Sequence, residues 1–325
     1  MTKKLGSQSF DTVKFARRYG TVLFGVLVFM FFSVFANNFL TVHAQLILLR
    51  QMSMLTIVAL GFTFVMAAGG FDMSVGNAAG LINITFGGVL LSTNSVVLAI
   101  LAGVAVGLAV GALNGTLVAY IGIPDFIGTF SVGVITVGIK MLISRGNPTS
   151  FPADINPAAL FIGQGRIGTV PFPVILMLVL VVLVFFIMKK TTLGRRIYAV
   201  GGNRIASQYG GINVKKYRMY TFLLSGGFLS IASIVLTSRL GSAQPLAGEE
   251  FLLDTIAAVF LSTTMFGDGE PTPLGTFVGA FIITMLTLGL TMMGVPYYYQ
   301  YITKGSVVIL SVMLSVMLSA RAKAA

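Results

Sequence analysis

The chain has 325 residues, 56% hydrophobic and only 9% charged, with a mean hydropathy of +0.95. A soluble domain carries roughly 25% charged residues; this chain cannot cover a water-facing surface with so few and reads as an integral membrane protein. Cysteine is absent and His43 is the lone histidine, which excludes a disulfide framework, a thiol nucleophile and a histidine-based metal site.

A bilayer core needs about 20 apolar residues per helix. On that length the sequence predicts an all-α, polytopic transmembrane bundle of about ten helices in one domain, 1–325. The spans lie near 21–40, 46–67, 74–92, 95–121, 126–143, 170–188, 219–238, 252–267, 275–293 and 299–319. The first reads as a retained helix rather than a cleaved signal. The third and eighth are short or interrupted by glycine. The net charge of +12 is explained by the positive-inside rule without any nucleic acid. Lys3, Lys4, Lys14, Arg17 and Arg18 precede the first span. Lys189, Lys190, Arg195, Arg196, Arg204, Lys215, Lys216 and Arg218 fill the 189–218 loop, and Arg321 and Lys323 follow the last span. With ten spans all three segments fall on one side, so both termini are expected in the cytoplasm. Arg145, Arg166 and Arg239 fall on the other side, with Asp154, Glu249 and Glu250.

Several interruptions carry the functional reading. In AAGGFDMSVGNAAGLINIT, Asp72, Ser74, Asn77 and Asn83 stand among glycines between two apolar runs. Polar groups in a broken helix usually face a pathway; an interfacial turn with Asp72 as N-cap is the other reading. Helix four places Gly103, Gly107, Gly111 and Gly115 four apart on one face, a pattern for close helix packing. Asn114 and Phe126, the latter in IPDFIGTF, form a polar-aromatic patch suited to a neutral polar solute. Arg50, Lys140 and Lys304 lie within reach of helix ends and are read as snorkelling. Asp and Glu all fall at predicted ends or loops, which argues against a proton- or sodium-coupled carrier. A fixed pair of opposite charges, expected for an amino-acid solute, is not evident.

The stretch GGNRIASQYGGINVKKYR (201–218) is polar, basic and bracketed by two glycine pairs. Between them NRIASQY fits about two turns of helix with Asn203 as N-cap. This is the pattern of a docking element in a loop; a solvated positive-inside loop is the other reading, which explains the Lys and Arg but not the glycine pairs. LSGGF (224–228) imitates a nucleotide-binding signature, but it sits in an apolar span and the chain has no phosphate-binding Gly-x-x-x-x-Gly-Lys motif; Gly226-Gly227 reads as a packing notch. A second interruption, FGDGEPTPLG (266–275), falls in the latter half at a place loosely matching the first, which points to a repeat.

GGFDMSVG (69–76), GALNGTLVAYIGIPDFIGT (111–129), GRRIYAVGGNRIASQYGGINV (194–214), SRLGSAQPLAGEEFLLDTIAAV (238–259) and LGTFVGAFI through GVPYYYQYITKG (274–305) cover most of 45–320. In these stretches the chain resembles the permease subunits of bacterial ATP-binding-cassette importers for ribose, xylose, arabinose and related sugars. The resemblance implies a bacterial inner-membrane assembly of two permeases, alike or different, and two ATPases that bind the ATP and Mg. A periplasmic or lipoprotein solute-binding protein feeds it, and no cofactor or catalytic residue belongs to this chain. It implies that Gly201, Gly202, Asn203, Ala206, Gly211 and Ile212 couple the permease to the ATPase. Arg145, Arg166 and Arg239 become candidate contacts to the binding protein. The sequence departs from the family at FLSTTMFGDGEPTPLG, where a Gly-Gly-x-Gly run is usual. Nucleosides or branched-chain amino acids are alternative solutes, and a facilitator or channel acting alone is an alternative class.

Overall fold

Each of the ten predicted apolar segments forms a helix in the computed structural model, which describes residues 12–265 and 269–324. Lys3, Lys4 and Asp268, among the residues singled out above, lie outside the described residues, as do Phe266 and Gly267. α1 spans Thr12–Phe35, α2 Val42–Ala67, α3 Val75–Thr93, α4 Val96–Gly115 and α5 Asp125–Ser144. A short α6 (Pro157–Gln164) precedes α7 (Phe172–Lys190), α8 (Thr192–Gly202) and α9 (Arg204–Tyr209). α10 (Val214–Leu240), α11 (Phe251–Thr263), α12 (Pro273–Met292) and α13 (Tyr297–Ala324) follow.

Local chemistry sets the breaks. Asn94 closes α3 in the left-handed conformation (φ 51°), and Ser95 caps α4 by accepting from Leu98 N. Thr272 caps α12 ahead of Pro273, a residue whose missing N–H costs nothing at a helix start. α4 runs on as a π-helical turn, Thr116–Ile121, that ends at Gly122.

α2 is the central post of the bundle: Ile57, Ala59, Leu60, Phe62 and Phe64 are fully buried. α4 and α10 meet backbone to backbone. A methyl group on Gly107 would overlap Ser230 Oγ, one on Gly111 would overlap Phe222 O, and one on Gly226 would overlap Gly107 O. The glycine row therefore serves close packing, as its spacing indicates. Gly226 forms the notch and Gly227 has no comparably tight neighbour.

The helices fall into two sets packed alike. α3 lies on α4 and α5, as α11 lies on α12 and α13; α4 packs on α10, as α12 packs on α2. Gly103, Gly107, Gly122 and Pro124 recur at one constant offset as Gly275, Gly279, Gly294 and Pro296. Gly122 and Gly294 both take positive φ, at 90° and 73°. α2 ends, and α10 begins, at the end of the bundle that holds the basic 189–218 segment, so the two sets are inverted. This order corrects the pairing of interruptions. The counterpart of the break at 68–74 is the connection 241–250, and the place in the chain between α11 and α12 matches the tight reversal at Asn94-Ser95.

Among the described residues, seven helices are long and apolar enough to cross a membrane. α11 is not one of them. Its 13 residues reach about 20 Å at 1.5 Å per residue, short of a core of about 30 Å. The eighth predicted span thus covers about two thirds of a crossing. The remainder is the 243–250 segment, which descends along α3: Ala243 lies against Gly87, Pro245 O against Gly80 and Glu249 O against Gly76. At the end opposite the basic segment, β1 (Thr149–Ser150) pairs antiparallel with β4 (Ser242–Ala243). The hairpin of β2 (Arg166–Ile167) and β3 (Val170–Pro171) lies in the chain between α6 and α7.

Candidate functional site

The 189–218 segment folds as two short helices against the end of the bundle. Thr191 caps α8 and Asn203 caps α9, its Oδ1 accepting from Ala206 N at 3.0 Å. The predicted helix and its cap are both present. The glycine pairs work differently from one another. Gly201 and Gly202 are the last residues of α8 rather than a left-handed turn. Gly201 is pressed on α2, where a methyl would overlap Ala67 O, whereas Gly202 faces open space. Gly211 turns the chain with φ 78°. Ile212 is half-buried, and its N–H donates to Ser207 O at 2.9 Å. Ala206 is exposed, as are Ile205 and Tyr209, at 70% and 90%. Those two large apolar side chains were not singled out in the sequence, although their place in a basic loop is the signal that finds them. Tyr198 on α8 donates to Pro271 O at 2.8 Å; burial, with Glu270 nearby, pushes its phenol upward and keeps the proton on.

Behind α8 and α9 lies the 68–74 break, and it is a polar joint. Asp72 is buried. Its Oδ1 accepts from Ser74 N at 3.0 Å and Ser74 Oγ at 2.6 Å. Asn114 Nδ2 from α4 reaches that oxygen at 3.3 Å and Ser74 Oγ at 2.8 Å. Ser225 Oγ from α10 donates to Asp72 Oδ2 at 3.2 Å. Ser74, not Asp72, stands at the cap position of α3. Burial raises the Asp72 carboxyl above its ordinary range, and the serine donors draw it back down.

A second carboxylate, Asp125 at the start of α5, holds the same break from outside. Its Oδ2 accepts from Phe71 N at 3.2 Å, and both oxygens sit 2.6 Å from Arg218 Nη2. Arg218 also reaches Val118 O in the π-helical turn at 3.4 Å. Arg204 from α9 donates to Gly69 O at 2.6 Å. Asp125 and Arg218 are far apart in sequence, so neither residue announces its partner. A groove of about 710 Å³ between the π-helical turn and α9 exposes this cluster.

The remaining predicted residues lie elsewhere. Asn77 is half-buried beside Gly133 of α5, and Asn83 Oδ1 accepts from Gln244 N at 2.9 Å. Phe126 is 58% exposed and stacks on Phe130. Arg145 and Arg166 are exposed at the opposite end, and Arg239 is half-buried in a cavity of about 320 Å³ with Glu250 and Asp254. Two of the lysines read as snorkelling are instead buried ion-pair partners. Lys140 is fully buried and meets Glu249 at 2.9 Å; Lys304 meets Asp254 at 2.9 Å. Opposite charges are therefore fixed in pairs after all, each satisfied within the chain. The pairs tie α5 and α13 to the start of α11.

Residues 45–316 match the family described as the permease component of the branched-chain amino acid transport system. The chain is 36% identical over 284 residues to the ribose import permease protein of Escherichia coli strain K12, covering 87% of this chain and 88% of that one. It is 33% identical over 313 residues to the D-allose transport system permease protein of the same strain, covering 95% of each. It is 32% identical to the xylose transport system permease protein of Haemophilus influenzae, covering 90% of this chain and 94% of that one. The protein is a multi-pass membrane transport subunit, and with its inverted helix sets and docked basic segment it belongs to this family of permease components.

Proposed function

We propose that the chain is the membrane-spanning permease of an ATP-driven importer for a monosaccharide, placed in the bacterial inner membrane with both termini in the cytoplasm. The observation that carries this reading is the docked α8–α9 element. It is basic, it presents Ile205 and Tyr209 to water, and it is seated by Gly201 on the broken helix behind it. Exposed apolar side chains at such a place mark a partner surface, and separate ATPase subunits that bind ATP and Mg are the partner. Gly202, Asn203, Ala206, Gly211 and Ile212 shape that surface. Solute arrives from a periplasmic or lipoprotein binding protein at the end carrying Arg145, Arg166 and Arg239, then passes between this chain and a second permease. Asn77 and Phe126, which α3 and α5 leave partly or largely exposed, are offered to that path. Asp72, Ser74, Asn83 and Asn114 support it from within as joints between helices.

The named solutes of the relatives, ribose, allose and xylose, place a sugar first. The family's description favours a branched-chain amino acid as second reading. Competition in an uptake assay separates the two. The first test is co-purification in mild detergent. An ATPase should accompany the chain in roughly equal amount and be lost in Gly202→Asp, a site with open space where the substitution leaves the fold intact. A chain that purifies alone and still moves sugar in liposomes is a facilitator, and that result would overturn this reading.

A further inference from the structure

We propose that Asp125, with Arg218 and Arg204, carries the movement of the α8–α9 element into the 68–74 break, which makes Asp125 a positioning residue for ATP-driven transport. The inference rests on the importer reading and names the route by which its coupling surface acts.

A break in a helix leaves backbone groups without helical partners, and buried ones must be satisfied elsewhere. Here alternate residues are taken up by side chains of α9 and α5. Arg204 of α9 holds Gly69 O, Asp125 holds Phe71 N, and Thr129 of α5 accepts from Met73 N at 2.8 Å. Thr129 in turn donates to Asp125 O. Two of the three anchors are charged side chains, which make hydrogen bonds roughly twice as strong as neutral ones. Asp125 is the hub: one carboxylate holds the break on one side and the root of α10, through Arg218, on the other. A displacement of α9 pulls on Gly69 directly. A displacement of the α9–α10 connection turns Arg218 and draws on Phe71 through the shared carboxylate. The Arg218 and Asp125 side chains are 9% and 19% exposed, so water reaches the link only from the groove side and screens it in part. Transmission between sites requires an element with two discrete arrangements; the structure holds the paired one, and the broken pair is the other in this proposal.

The test uses the whole assembly: this chain, its ATPase and its binding protein in proteoliposomes, with radiolabelled ribose as probe. Uptake and ATP hydrolysis are measured together. In Asp125→Asn, sugar moved per ATP hydrolysed should fall about tenfold, inside the range for coupling between sites, with the ATPase still bound. Asp125→Glu, which keeps charge and acceptors, should recover most of the ratio. An unchanged ratio in Asp125→Asn would overturn the proposal, because a structural weakening or poorer ATPase docking lowers uptake and hydrolysis together. If Asp125→Asn does not accumulate, Arg204→Met is read in the same way. Arg204 is exposed, and an unchanged ratio there also overturns the proposal. A wild-type assembly that neither hydrolyses ATP nor takes up the sugar would instead defeat the importer reading itself.

Discussion

The connections at 68–74 and 241–250 occupy matching places in the two inverted helix sets, yet they are held in unlike ways. The first is held by hydrogen bonds from α4, α5 and α10 and by the α8–α9 element. The second packs along α3 and is fixed at its far end by two lysines from α5 and α13. One connection is bonded to the basic end, through Arg204 at Gly69. The other is anchored to α5 and α13, both of which carry exposed apolar side chains. Inversion thus supplies one backbone plan twice, and the side chains divide the labour.

The contrast is broken most severely at the second connection. In Glu249→Gln, Lys140 stays buried with no counter-charge, and breaking a buried pair costs about 3–5 kcal/mol. Lys140→Met should cost much less, because Glu249 is 44% exposed and turns to water. Thermal unfolding of the two variants in detergent checks the asymmetry; equal losses would show that the pair is not buried as described. Asp72→Ala acts on the first connection. It strands the Ser74 and Ser225 donors, at about 1–3 kcal/mol for each buried group left unmade. The same melting assay should show Asp72→Asn to be milder. Gly107→Ala places a methyl on Ser230 Oγ and should cost about 1–3 kcal/mol by overpacking, with no change at Gly227→Ala. The smallest effect is expected from Arg145→Gln and Arg166→Gln. Exposed charges are worth about 0–1 kcal/mol each, and they should change the on-rate of the binding protein more than its off-rate.

Much of this was legible in the residues. Apolar length located all ten segments, the four-residue glycine spacing located the α4–α10 contact, and Asn203 before Arg204 marked the start of α9. The basic 189–218 segment stood out because its composition differs from everything around it. The ion pairs were hidden, since Lys140 and Glu249 approach only when the 243–250 segment folds down beside α3. The shortness of α11 was hidden too: Leu261, Met265 and Phe266 let the apolar run be read past Ser262, Thr263 and Thr264, but the helix ends at Thr263 and the chain turns at Thr264. Asp72 was visible as a polar intruder, while its enclosure by α4 and α10 depended on helices far along the chain.

The inverted plan carries a mechanical consequence. A body with two-fold related halves stays balanced only if equal loads arrive at both related points. The α8–α9 element bears on one of them, at Ala67 and Gly69, while the related point at the other end meets β1 through β4. Under the proposed coupling, a load at Ala67 and Gly69 would have no mirror load to cancel its moment and would act as a torque turning one helix set against the other about the α2–α10 contact.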